Sequence, residues 1–203
     1  DGGGDWMLVR GGDGAPVRAV YALPEQSGVV FVALGGDASA GLDRPRVLRS
    51  LDGGLTWQNL TGDLPRGTVN GVTADPSGSA VYAATSEGVF LVLLDGISAR
   101  PGRWIPMSAT LPRAPAVDVA LDQPGNRVYV AVDGYGIYSA PAPHRFLNVT
   151  VVNSADLSGR PAAPGSLLTV IGGRLLRAQA GLLPAPVLQA GETESQIQVP
   201  FEA

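Results

Sequence analysis

The chain has 203 residues, of which 45% are hydrophobic, and it contains 28 glycines, 17 prolines and no cysteine. This length accommodates one or two domains, no stretch approaches the roughly 20 apolar residues of a membrane-spanning helix, and the lack of cysteine excludes disulfides and thiolate chemistry. The formal net charge is −4 and the basic residues, all arginine, form no cluster, which argues against a nucleic-acid partner.

A repeat organises the first 140 residues. Trp6, Trp57 and Trp104 recur at similar intervals, and each is followed by a proline, namely Pro16, Pro65 and Pro112. After each proline come three short runs rich in valine, tyrosine and phenylalanine, which is typical of strands joined by tight turns. These runs are 17–24, 29–32 and 47–49; then 69–76, 80–83 and 88–90; then 116–124, 127–130 and 136–138.

The repeat unit of about 45 to 50 residues, with four strands, has the size of a β-propeller blade. The sequence therefore predicts an all-β chain whose residues 1–140 form a partial propeller of about three four-stranded blades, with a plain β-sandwich as the alternative. The blades are expected at 17–64, 68–111 and 115–140, and residues 5–10 form an outer strand without a blade. We expect Trp104, Phe31, Tyr82 and Tyr129 to pack between blades.

One hairpin carries a specific motif. Ser50, Asp52, Gly54, Thr56 and Trp57 match the Asp-box pattern Ser-x-Asp-x-Gly-x-Thr-Trp at every fixed position. The chain thus resembles the Asp-box or BNR-repeat propellers, a group that includes sialidases and sortilin-like ectodomains. Asp and Ser or Thr side chains bind the backbone of a tight turn, so we interpret Asp52 as structural.

The start of the chain looks like a second, degenerate copy of this motif. Asp1, Gly3 and Trp6 stand at Asp-box positions, while Asp5 replaces the threonine. Because propellers have about four to eight blades, three blades cannot close a ring. Either further blades precede these, or copies of the chain assemble through unpaired blade edges.

A second domain is expected after a proline-rich linker at 141–146. Residues 147–203 contain a strand at 147–152 and a turn and buried strand at 163–173, which predict a small, partial β-sandwich-like domain. The phrases at 152–155, 164–172 and 195–202 resemble a C-terminal domain of secreted proteins from Solibacter-type Acidobacteria. That resemblance implies a bacterial protein that is extracellular or at the cell surface, with its signal peptide outside this chain, and it implies no activity.

The search for catalytic residues yields only isolated candidates. Arg18, Arg49, Arg113 and Tyr135 are the residue types of a sialidase site, and Asp75, Asp118, Asp122 and Asp133 are those of a glycosidase, but the pattern does not bring them together. His144, the one histidine, is expected to be solvated in the linker. The sequence predicts no catalytic residue, no metal site and no cofactor.

Three functions remain open at this stage. The first is a non-enzymatic propeller module that binds a protein or a polysaccharide or supports a larger assembly. The second is a fragment of a secreted glycoside hydrolase, sialidase-like or polysaccharide-degrading, whose catalytic residues lie in other blades. The third is a self-assembling structural subunit that uses its unpaired blade edges, and light scattering separates it from the first, because a stable monomer would argue against assembly through edges.

Overall fold

A computed structural model describes residues 4–10, 14–36, 44–94, 102–107, 110–147, 150–171, 175, 177–191 and 194–202. The chain divides into two compact units, Asp1–Ala142 and Pro143–Ala203. The boundary falls inside the predicted linker, although strand pairing continues to Pro141 and the short helix α1 begins at His144. Among the described residues, no helix has both the length and the apolar character that crossing a membrane requires.

The described residues of unit 1 form three antiparallel sheets whose strands follow chain order, as in the blades of a propeller. Sheet 1 contains β1 (Val17–Ala22), β2 (Val30–Leu34), β3 (Val47–Ser50) and β4 (Gln58–Asn59). Sheet 2 contains β5 (Val69–Ala74), β6 (Ala80–Thr85), β7 (Gly88–Leu93) and β8 (Ile105–Pro106). Sheet 3 contains three strands, β9 (Ala116–Leu121), β10 (Arg127–Val132) and β11 (Gly136–Pro141). Unit 1 is therefore a partial β-propeller.

Strand register shows which residues are equivalent in the three sheets. Phe31, Tyr82 and Tyr129 hold the same place on the second strands, where they pair with Arg49, Leu91 and Ser139 on the third. The first strands are aligned by the residue just before each of them, whose backbone carbonyl accepts a hydrogen bond from a turn amide. These residues are Pro16 in sheet 1, Thr68 in sheet 2 and Pro115 in sheet 3. Pro16 is thus equivalent to Pro115, and matching Pro16 to Pro65 by sequence spacing alone was wrong.

The core of unit 1 lies between successive sheets. One cluster joins sheet 1 to sheet 2 and contains Phe31 and Trp104, and a second joins sheet 2 to sheet 3 and contains Tyr82. Phe31 and Tyr82 have no exposed surface, and all six residues of β6 are buried. Each sheet is stabilised by apolar burial against its neighbours, because the alternating residues of each strand point to opposite faces.

Two aromatic residues of unit 1 are exposed, and one of them, Tyr129, was expected to pack between blades. Tyr129 is 40% exposed, because its face of sheet 3 has no further sheet against it in the described part of unit 1. Trp6 is 92% exposed and contributes to none of the buried clusters. The predicted motif positions Asp1 and Gly3 lie outside the described residues.

Unit 2 is a small β-sandwich-like domain. A four-stranded sheet has the order β12 (Thr150–Asn153), β13 (Leu167–Ile171), β17 (Glu194–Gln198) and β16 (Val187–Ala190), and β14 (Ala178–Ala180) pairs with β15 (Leu183–Ala185). The helix α1 (His144–Leu147) precedes β12, so the strand predicted at 147–152 begins later. His144 is 8% exposed, which corrects the expectation of a solvated linker histidine.

Candidate binding groove

The hairpin between β3 and β4 holds the residues of the sequence motif at 50–57 in one hydrogen-bond network. The Asp52 carboxylate accepts hydrogen bonds from the Thr56 amide at 2.8 Å and the Thr56 hydroxyl at 2.6 Å, and from the Ser50 hydroxyl at 2.8 Å. The Ser50 oxygen in turn accepts from the Gly54 amide at 2.8 Å. These bonds, the Thr56 hydroxyl first, lower the pKa of Asp52 to about 2. The carboxylate is therefore engaged in the turn.

The indoles of Trp104, which is buried, and Trp57, which is half-buried, make equivalent hydrogen bonds to the preceding repeat. Trp104 Nε1 donates to the Leu60 carbonyl at 3.0 Å, and Trp57 Nε1 donates to the Val9 carbonyl at 3.4 Å. In both cases the acceptor is the third residue after the preceding tryptophan of the repeat. Each tryptophan thus attaches its outer strand to the corresponding segment of the preceding repeat.

Two of the four acidic glycosidase candidates bind the backbone of turns. Asp75 accepts from the Ala80 amide at 2.6 Å in the turn between β5 and β6. Asp122 holds the equivalent turn of sheet 3, where it accepts from the Asn126 amide at 2.6 Å. Asp118 is exposed on β9 and accepts from the adjacent Val119 amide, and Asp133 is an exposed turn residue.

The sialidase candidates are also dispersed over unit 1. Arg49 is 3% exposed and donates from Nε and Nη2 to the Gln58 side chain at 3.0 and 2.7 Å. Burial lowers the pKa of this guanidinium. Arg18 and Tyr135 are exposed on β1 and on the turn before β11. Arg113 borders a cavity.

That cavity is a groove of about 400 Å³ between sheets 2 and 3, within the size range of ligand sites. One wall is the turn between β6 and β7, residues 86–88, and the other is the segment 111–116 that enters β9, with Val132 at the end of β10. Two hydrogen bonds hold this turn: the Thr85 hydroxyl donates to the Gly88 carbonyl at 2.9 Å and accepts from the Glu87 amide at 3.0 Å.

The junction between sheets 1 and 2 shows how such a groove is filled. There the guanidinium of Arg46 donates to the Leu64 carbonyl at 2.7 Å and also to the carbonyls of Pro65 and Gly67. Burial lowers the pKa of Arg46. A side chain from sheet 1 therefore binds the carbonyls of the segment that leads into sheet 2.

The second junction has the same backbone segment without the arginine. The sequence Leu111-Pro112-Arg113 repeats Leu64-Pro65-Arg66, and the residue equivalent to Arg46 is Gly88. Because glycine has no side chain, the groove beside Leu111 and Pro112 is open. The charged residues that line the groove are Glu87 and Arg113, both of which are exposed.

The sequence reasoning did not find this groove. The repeated Leu-Pro-Arg tripeptide was visible, but equivalence of Arg46 and Gly88 follows only from the observed strand register. Within the ranges that the structure describes, no three His, Asp or Glu side chains are grouped closely enough to hold a metal ion.

Comparisons with known proteins give a structural likeness alone. No protein-family model matches the sequence, and no curated protein matches it. Among solved structures, the chain is similar to the β-propeller domain of Cps50 (Swd1) from Myceliophteria thermophila, with 12% sequence identity and a TM-score of 0.43. The match covers 91% of this chain and 60% of that one. The order and register of its own sheets show that the chain is an all-β protein with a partial β-propeller.

Proposed function

We propose that unit 1 is a non-enzymatic protein-binding module whose groove between sheets 2 and 3 accepts an arginine side chain of the partner. The observation that carries this proposal is Arg46, which occupies the equivalent place between sheets 1 and 2 and binds three backbone carbonyls there. An open groove with the same backbone segment fits the same chemical group supplied from outside.

The electrostatics of the groove support a cationic group. Glu87 places a carboxylate on its border, and the net charge of the chain is −4, which attracts basic partners at long range. Arg113 is also on the border, but the equivalent Arg66 coexists with the bound guanidinium of Arg46 at the first junction. A guanidinium has five donors in a planar arrangement, which suits several carbonyl acceptors.

The non-enzymatic part of the proposal is supported by the use of the carboxylates. Asp52, Asp75 and Asp122 each hold the backbone of a turn by at least one hydrogen bond.

We further propose that the protein acts at the cell surface or outside the cell. The support for this location is the resemblance of residues 150–203 to the C-terminal domain of secreted proteins.

The test is a titration of the whole chain with N-acetyl-arginine methylamide, followed by amide chemical shifts. We expect saturable shifts at Ser86, Gly88 and Ala114, and none with the neutral citrulline analogue. Glu87→Gln should weaken binding by roughly two- to fivefold, as for a solvent-exposed ion pair. Glu25→Gln, an exposed carboxylate on the turn after β1, is the matched control and should leave binding unchanged.

Two results would contradict the proposal. The first is equal binding of the arginine and citrulline probes. The second is saturable binding of a methyl glucoside at the same amides without binding of the arginine probe, which would favour a polysaccharide ligand.

A further inference from the structure

We infer that the pair Asp133–Gly134 is a site of spontaneous covalent modification, at which the folded chain converts aspartate into isoaspartate, and that the pair Asp52–Gly53 is protected from the same reaction. In isoaspartate the backbone runs through the side-chain carbons of the aspartate, so the chain gains one methylene group. The reactive pair lies in the hairpin between β10 and β11. Its chemistry does not depend on the proposed arginine ligand.

Three pairs in which glycine follows aspartate or asparagine lie wholly within the described residues. They are Asp52–Gly53, Asn70–Gly71 and Asp133–Gly134. Glycine favours ring closure at such a pair, because it has no Cβ to hinder the approach of its amide nitrogen to the side-chain carbon of the preceding residue. The three pairs share this ring-closure chemistry, and the hydrogen bonds around each pair distinguish them.

The reaction needs only water and the chain itself. The Gly134 amide nitrogen attacks Cγ of the protonated Asp133 carboxyl, the new C–N bond forms, and the carboxyl hydroxyl leaves as water with the amide proton. Water then adds to the former peptide carbonyl carbon of Asp133, whose bond to the Gly134 nitrogen breaks. The nitrogen stays bonded to Cγ, and the α-carboxyl group becomes the side group.

Both reacting groups of Asp133–Gly134 are exposed in the turn between β10 and β11. In the described part of the chain, the Asp133 carboxylate accepts no hydrogen bond and forms no ion pair, and the Gly134 amide has no acceptor. Gly134 has a φ of +72°, and a Cβ placed on it would meet no atom within 4 Å. No existing contact therefore has to break before the nitrogen approaches the carboxyl carbon.

Both reacting groups of Asp52–Gly53 are engaged. The carboxylate accepts hydrogen bonds from Ser50 and Thr56, and the Gly53 amide donates to the Gly28 carbonyl at 2.9 Å. The bonds to the carboxylate lower the pKa of Asp52 from 3.8 to about 2. The protonated carboxyl that the reaction consumes is therefore about 60 times scarcer at neutral pH than for an ordinary aspartate.

Asn70–Gly71 is held in a strand. Asn70 lies in β5, and the residues on both sides of it pair with β6. The Asn70 Nδ2 donates to the Ala116 carbonyl at 2.8 Å. Rotating the backbone to bring the Gly71 nitrogen to the side-chain carbon would break this bond and the strand pairing, so this pair is protected as well.

The modified turn borders the groove between sheets 2 and 3. The Asp133 amide donates to the Pro115 carbonyl at 2.9 Å, and the Tyr135 amide donates to the Val132 carbonyl at 3.1 Å. Pro115 and Val132 both line the groove. The additional methylene lies inside the ring that the second bond closes, so isoaspartate at position 133 should weaken that bond and loosen this wall.

The test is to age the full folded chain at neutral pH and to map its tryptic peptides by mass spectrometry with electron-transfer fragmentation, which distinguishes isoaspartate from aspartate. Cleavage after arginine gives the peptides 50–66 and 128–145, each of which contains one Asp-Gly pair. We expect isoaspartate to accumulate in 128–145 at least about tenfold faster than in 50–66, because the lower pKa of Asp52 alone supplies a larger factor. Asn70 should show no mass increase from deamidation over the same period.

Three controls separate the effect of the fold from that of the local sequence. In urea the rates at the two Asp-Gly pairs should converge, because unfolding removes the hydrogen bonds. Thr56→Val should raise the rate at Asp52, whereas Thr56→Ser, which keeps the hydroxyl, should not. Asp133→Glu should remove the product from 128–145, because a longer side chain closes a larger ring more slowly. The absence of isoaspartate at position 133, equal rates at the two pairs in the folded chain, or the same ratio of rates in urea would overturn the inference.

Discussion

Replacing Trp104 by phenylalanine should destabilise unit 1 by roughly 2 to 4 kcal/mol. Trp104 is 3% exposed, and its indole Nε1 donates to the carbonyl of Leu60, a residue with no exposed surface. Leaving that carbonyl without a donor costs about 1 to 3 kcal/mol. The smaller ring also loses buried apolar surface worth about 1 kcal/mol.

Trp57→Phe is the matched control for this prediction. Trp57 is only half-buried, and its hydrogen bond to the Val9 carbonyl is 3.4 Å long, which is weak. We expect this substitution to cost less than about 1 kcal/mol. The two variants change the same atoms at equivalent positions of the repeat. The difference between their unfolding free energies therefore reports the effect of indole burial and of hydrogen-bond length.

The assay is native-state amide hydrogen exchange of β6, whose six residues are all buried in the middle of unit 1. This measurement reports the opening free energy of unit 1 separately from unit 2, which has its own sheet. Urea denaturation followed by circular dichroism provides a second value. If Trp57→Phe costs as much as Trp104→Phe, the assignment of the larger effect to the Leu60 carbonyl is wrong.

Three further predictions concern the turn that contains Asp52, the hydrogen-bonded pair of Arg49 and Gln58, and Gly71. Thr56→Val should raise the pKa of Asp52 from about 2 toward its ordinary value, because it removes the hydroxyl that lowers this pKa most, as a carboxyl carbon NMR titration would show. The stabilisation from Asp52 should be complete above pH ~4 and lost as pH falls through the depressed pKa. Gln58→Ile should cost roughly 1.5 to 3 kcal/mol in urea denaturation, because it removes both bonds from the buried Arg49, whereas Arg49→Leu combined with Gln58→Ile should recover most of that loss. Gly71→Ala should cost about 1 to 3 kcal/mol in the same measurement, because the new Cβ would lie 3.1 Å from a Cα of β9.

Each of these predictions has a control on the same chain. Thr56→Ser keeps the hydroxyl and should keep the low pKa of Asp52; a normal pKa in this variant would contradict the hydrogen-bond explanation. The combined Arg49→Leu and Gln58→Ile variant reproduces the Leu91 and Ile105 pair of sheet 2, and additive losses would show that the two residues are uncoupled. Gly159→Ala should be close to neutral, because a Cβ added at this glycine would meet no atom within 4 Å.

The repeat in the sequence predicted the three sheets of unit 1 well. Alternating apolar residues and turn residues placed the first three strands of each sheet close to their observed bounds, because strand period and turn chemistry are local properties. The prediction was less successful at Tyr129. The burial of this tyrosine depends on a neighbouring sheet and not on its own strand, so its sequence context, shared with Tyr82, could not distinguish the two.

The candidate groove could not be predicted for a similar reason. The groove is open or filled according to which side chain of one sheet contacts the segment that leads into the next sheet. Identifying that side chain requires the pairing register of strands that are distant in sequence. Nothing in the sequence around Arg46 and Gly88 relates the two residues, and they become comparable only when the pairings of β3 and β7 are known. His144 likewise follows proline and alanine residues typical of a linker, yet it is buried.

The stacking of the three sheets has a consequence for how unit 1 opens. Sheet 2 packs on both neighbours, and the two buried clusters of unit 1 that bridge sheets meet on its opposite faces. In such a linear array, stability is approximately a sum of terms for each element and each adjacent pair. Local unfolding should therefore begin in sheets 1 and 3, each of which packs on one neighbour in the described part of unit 1. Sheet 2, which packs on two, should unfold last.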